Sequence, residues 1–186
     1  MKKFTVTSIH IRSTFMVFAF LLLSQQQVYA SAFGQGAFGE DVPFGSGTSI
    51  DMSFSGDVAL MLTPAGGGTF SGQGSNIVTI TSTNVVGYYL FLYANGSTSM
   101  SNGSDTIVAS GNGSPSSLAI NTWGYNVDGS SNYLGILDHP VQILSADGPY
   151  KNGNDTDVYY GAYVDITKPA SAYTVEVTHT LVGKFD

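Results

Sequence analysis

The stretch "AYTVEVTHTLV", residues 172–182, constrains the fold more than any other in the chain. Tyr173, Val175, Val177, His179 and Leu181 occupy one parity, while Thr174, Glu176, Thr178 and Thr180 occupy the other. Successive side chains of a strand point to opposite faces, so this alternation predicts a half-buried β-strand with the first set inward. The same period recurs upstream. "SIDMSFS" sets Ile50, Met52 and Phe54 against Ser49, Asp51, Ser53 and Ser55, and "DVALMLTP" follows until Pro64 and the glycines 66–68 stop it. "SNIVTITST" and "VVGYYLFLY" give two further strands, parted at Asn84. The second is apolar on both faces, with Val86, Tyr88, Leu90 and Leu92 opposite Tyr89, Phe91 and Tyr93. It is either a covered central strand or one bearing an outer aromatic stripe.

Residues 94–117 are rich in Asn, Gly and Ser, with a weak strand at Thr106–Ala109. "LAINTWGYNV" and "PVQILSA" come next. In "DVYYGAYVDI", Val158, Tyr160, Ala162, Val164 and Ile166 share a face, opposite Asp157, Tyr159, Tyr163 and Asp165. No segment after residue 30 sustains a 3.6-residue period. Eight or nine short strands punctuated by Gly, Asn and Pro predict an all-β domain, an antiparallel β-sandwich with immunoglobulin-like or jelly-roll connections.

The N-terminus predicts export. Lys2, Lys3 and Arg12 precede the apolar run "FMVFAFLLL", which is followed by "SQQQVYA" ending at Ala30. A short apolar run between basic residues and a small-residue site is the pattern of a secretory signal peptide, here residues 1–30. The run is about half of the ~20 residues that a spanning helix needs. Residues 31–47, with three Phe-Gly pairs in a glycine-rich background, are expected to be a flexible segment or one that docks on a neighbouring subunit through its phenylalanines. Residues 48–186 are expected to be the β-domain. There is no cysteine, so neither a disulfide nor a lipid-modified cysteine can form. After Ala30 all thirteen acids remain against Lys151, Lys168 and Lys184, a net charge of −10. Such a chain repels nucleic-acid phosphates and anionic lipid, and neither partner is expected.

Chemistry-bearing patterns are sparse. No serine lies in a Gly-x-Ser-x-Gly elbow, and after the leader only His139 and His179 could act as a base. No enzymatic activity is expected. "KNGNDTDVYY" brings Asn152, Asn154, Asp155 and Asp157 within six residues, with Asp147 upstream. The alternatives there are a solvated hairpin turn and a weak calcium site, because calcium takes six to eight oxygens from such loops. No other cofactor is implied. Sequons stand at Asn95, Asn102, Asn112 and Asn154, three of them Asn-Gly-Ser, which is also turn sequence. Trp123, the single tryptophan, is either a core plug or, with Tyr125 two residues on and Asn121 adding hydrogen bonds, a sugar-stacking platform.

"FSGDVALMLTP", "ITSTNVVGYYLFLYA", "NTWGYNV" and "VYYGAYVDITKPASAYTVEVTHTLV", in that order from about Ser53 to Val182, resemble a family of secreted β-sandwich surface proteins from candidate-phylum bacteria with small genomes. That family's pattern is a Thr-Asn-x-x-Gly-Tyr strand, an Asn-Thr-Trp-Gly-Tyr strand and a closing Pro-Ala-Gly-x-Tyr-Thr strand. Ser171 stands in place of the last motif's glycine, and His179 in place of a usual tyrosine. The closing strand also looks like the last strand of pilin-like and biofilm-fibre subunits. The resemblance implies a cell-surface role and no catalytic residues. The expected function is thus an exported structural or adhesive protein, its partners copies of itself or other surface proteins. In a sharper form, Ile50, Met52 and Phe54 carry a strand exchanged between subunits. The alternative is a carbohydrate-binding module using Trp123 and Tyr125 or the Tyr89, Phe91 and Tyr93 stripe.

Overall fold

The computed structural model describes residues 49–185. The expected signal peptide and the Phe-Gly segment lie outside the described residues. Among them there is no helix, and ten strands carry the fold: β1 (Ser49–Phe54), β2 (Thr63–Gly66), β3 (Thr69–Thr83), β4 (Gly87–Ala94), β5 (Met100–Ser101), β6 (Thr106–Ala109), β7 (Thr122–Asn126), β8 (Val141–Asp147), β9 (Asn154–Asp165) and β10 (Val177–Lys184). They form two sheets. The larger runs β1-β3-β9-β7-β6-β5, with β2 also on β3, and the smaller runs β10-β4-β8.

Alternation explains which residues meet. Val78 and Ile80 of β3, Val158, Tyr160, Ala162 and Val164 of β9, and Tyr88, Leu90 and Leu92 of β4 are all buried in one shared core. Val177 and His179 of β10 are buried too, as the period predicts. Three outward assignments or boundaries differ. Thr178 is buried rather than facing water, while Ile166 and Val86, grouped on the faces that prove to be buried, are exposed because each lies just beyond a strand end. β4 carries its aromatic stripe outward, since Tyr89 is exposed and Phe91 and Tyr93 are half-buried.

The expected strand over "DVALMLTP" becomes something else. Only Thr63 and Pro64 belong to a ladder, and Pro64 and Gly66 lie inside β2, not beyond its end. Proline is tolerated there because β2 is a short outer strand. Val58, Leu60 and Leu62 keep the alternation and are buried, yet this segment crosses the face of β3. Gly72 and Gly74 make room for it. A Cβ at Gly72 would stand 2.6 Å from the Met61 carbonyl oxygen, and one at Gly74 would stand 2.9 Å from that of Ala59.

The sheets are not wholly antiparallel either, because β6 pairs with β7 in parallel. The connection between them, residues 110–121, is long enough to carry the chain back to the starting end, as a parallel pair requires.

Candidate functional site

β7 lies between β9 and β6 in the larger sheet, and this placement decides the tryptophan. Trp123 has 0% of its surface exposed, and its indole Nε1 donates to the Thr98 carbonyl at 2.9 Å. Tyr125 is 3% exposed beside it on the inner face. Burial raises the pKa of Tyr125, and raises that of Tyr160, its cross-strand partner on β9, further still. Asn121 adopts φ 63° and turns its Oδ1 to accept from the Asp165 amide at 3.1 Å. The trio therefore plugs the core and closes the end of β9, and offers no ring face to a sugar. Sequence could not choose between the two faces, since the left-handed residue at 121 breaks the alternation just before Thr122.

The acidic cluster is dispersed by the same pleat. Asn152 is exposed in the turn before β9. Asn154 points inward, where its Nδ2 donates to the Tyr88 hydroxyl at 2.6 Å. Asp155 points outward and accepts from Thr79 Oγ1 at 2.6 Å, and Asp157 is exposed opposite Ile77. Asp147 pairs with Lys184 Nζ at 2.7 Å. The four Asx side chains are thus divided between the two faces of β9 and the turn before it, which favours the hairpin-turn alternative over a single calcium loop. Among the described residues no group of three or more His, Cys, Asp or Glu could hold a metal. His139 is exposed with Nδ1 2.9 Å from Asp138 Oδ1, which lowers the Asp138 pKa. His179 lies in the core.

The outer stripe of β4 is not flat. The Tyr89 and Phe91 rings are tilted by 52° with centroids 6.5 Å apart, and Lys184 Nζ sits 4.7 Å from the Tyr89 centroid, over its face. The same ammonium reaches Ser145 Oγ at 2.8 Å.

β1 is an outer strand of the larger sheet. Its register on β3 runs from Ser49 opposite Thr83 to Phe54 opposite Val78. Ile50, Met52 and Phe54 are half-buried against the core while Ser49, Asp51 and Ser53 are exposed, as the sequence pattern predicts. Phe54 reaches furthest in, its ring centroid 4.9 Å from that of His179 on β10. Gly56, at φ 142°, follows in open space.

Sequence reasoning missed one feature. Gly124 and Gly161 lie opposite each other in the register of β7 and β9, leaving a bare patch on the outer face of the larger sheet. Tyr133 covers it: a Cβ at Gly161 would stand 2.4 Å from the Tyr133 ring, and one at Gly124 would stand 3.1 Å from Tyr133 Cβ. Beside this cover runs a groove of about 480 Å³, floored by Thr63, Ser71, Gln73 and Tyr163 and walled by Ser117 and Ser131. The glycines were visible in the sequence, but their juxtaposition depends on the register between two strands that are not consecutive in the chain.

These features define an all-β protein of two sheets with one core and an outer-face groove. No protein-family model, curated protein or solved structure matches the chain.

Proposed function

We propose that this chain is an exported, non-enzymatic cell-surface or extracellular structural protein whose copies join by exchanging β1. Its two sheets are read as the layers of a β-sandwich. Tyr173, whose hydroxyl lies 3.3 Å from the Pro169 carbonyl just before the closing strand, resembles a tyrosine corner and favours immunoglobulin-like over jelly-roll connections.

One observation carries the assembly reading: β1 is an outer strand, held by a single ladder and three half-buried side chains. Transfer to the β3 of a second copy rebuilds the same main-chain bonds and the same side-chain contacts, so the exchange is nearly neutral per strand and is driven by concentration. The basic-then-apolar leader and the resemblance to secreted surface proteins support the exported location. Electron microscopy and size-exclusion chromatography of residues 31–186 test the reading. Concentration-dependent oligomers or fibres are expected, and only monodisperse monomers at high concentration would refute it.

A further inference from the structure

The groove beside Tyr133 is built rather than incidental. Its wall is tied down from below. Asn112 Nδ2 lies 3.1 Å from the Ser116 carbonyl, 3.2 Å from that of Ser117 and 3.1 Å from that of Tyr133, and Ser116 and Tyr133 exchange backbone hydrogen bonds. Gln73, on the floor, donates through Nε2 to the Ser130 carbonyl at 3.2 Å. Tyr163 is also fixed. Thr69 Oγ1 donates to the Gly66 carbonyl at 2.6 Å and so accepts from the Tyr163 hydroxyl at 3.2 Å, which leaves that phenol oxygen able to accept another hydrogen bond.

The lining has a definite chemistry. It holds two tyrosines, Leu118, one amide and several hydroxyls, with no acidic or basic side chain among its residues. An anionic ligand would meet no counter-charge here and a net charge of −10 in the chain beyond Ala30. A purely apolar ligand would strip water from the hydroxyls without replacing their hydrogen bonds. A pyranose ring suits both halves, because its C–H face packs on an aromatic ring while its hydroxyls both donate and accept. The volume, about 480 Å³, lies within the range of small-ligand sites.

We infer that this groove binds a neutral saccharide, with the Tyr163 ring as its floor and Ser71, Gln73 and Ser117 as its polar contacts. The site is independent of the exchange strand, since β1 pairs with residues 78–83 of β3 and the groove uses residues 71–73.

An array of immobilised neutral oligosaccharides built from glucose, mannose, galactose and N-acetylglucosamine, probed with residues 31–186, tests the inference. Saturable binding to a neutral glycan is expected, and the best binder is then titrated by calorimetry. Tyr163→Ala is expected to weaken it by about tenfold or more, the scale of losing a ring contact and its hydrogen bond. Ser117→Trp, on the exposed rim, fills the groove without touching the sheet and is expected to weaken binding equally, while Val182→Ala, exposed on the smaller sheet, leaves it unchanged. An array with no neutral binder overturns the inference, and so does binding that survives both groove variants. Neither result bears on oligomer formation, which depends on β1.

Discussion

His179 is the residue most at odds with its surroundings. It is 5% exposed, neither ring nitrogen meets a hydrogen-bond partner among the described residues, and Phe54 covers it from the opposite sheet. Burial alone pushes its pKa down to about 4, against 6.5 for the free side chain. The folded state therefore binds fewer protons than the unfolded chain between those values, and stability falls as pH drops from 6.5 toward 4. The loss approaches roughly 3 kcal/mol below pH 4, since each pKa unit is worth about 1.4 kcal/mol. Urea unfolding at pH 7, 5.5 and 4 measures it. His179→Leu is expected to be at least as stable at pH 7 and to lose most of this acid sensitivity, because it removes two unpartnered polar atoms and the titrating group together. A variant keeping the full pH slope would assign the slope to other groups. Trp123 is the opposite case, satisfied and enclosed. Trp123→Ala is expected to cost roughly 3–5 kcal/mol, read from the same denaturation curves. The native tryptophan emission should be blue-shifted and unmoved by any glycan.

At the scale of elements, most of the fold was legible because alternation is a local property. β1 and β9 fall where period two places them and β6 and β8 fall on the short apolar runs, but the closing strand expected over residues 172–182 forms only at Val177–Lys184, with Thr174 held by a lone bridge to Ser101. What sequence could not supply was the partner of each strand. Residues 58–62 show the limit: their alternation records a core on one side, yet the other neighbour is the face of β3 rather than a ladder. The acidic stretch stayed ambiguous, hairpin turn or calcium site, for a related reason. Closeness along the chain does not fix convergence, and the pleat of β9 sends Asn154 inward and Asp155 and Asp157 outward. The groove needed the register of Gly124 on Gly161, which no single strand reveals. That register yields a prediction of its own. Gly161→Ala would set a methyl 2.4 Å from the Tyr133 ring and must displace it. The variant is expected to lose about 1–3 kcal/mol, the usual penalty of overpacking. Amide exchange should quicken at Tyr133 and Ser116, whose mutual bonds hold the loop. Unchanged exchange there would separate the loop from the glycine pair.

At the scale of the whole molecule, a chain without cysteine holds its core without a disulfide, and aromatic residues are the largest side chains packed in it. Trp123, Tyr88, Tyr160 and Tyr173 are its largest fully buried side chains. Around this rigid body β1 is the peripheral part, separated from it by Gly56 and attached through one ladder. The account as a whole rests on that strand passing between copies. The absence of cysteine makes the most direct test clean. Asp51 and Thr81 are register partners on the outer face of β1 and β3. Asp51→Cys and Thr81→Cys are made as separate proteins of different mass, mixed at high concentration, and treated with a short thiol-specific crosslinker. Exchange predicts a covalent heterodimer joining position 51 of one chain to position 81 of the other, formed faster than either homodimer. Heterodimer no more abundant than the homodimers, in a mixture where the Asp51→Cys, Thr81→Cys double variant crosslinks within itself, would show that β1 stays at home and contradict the account.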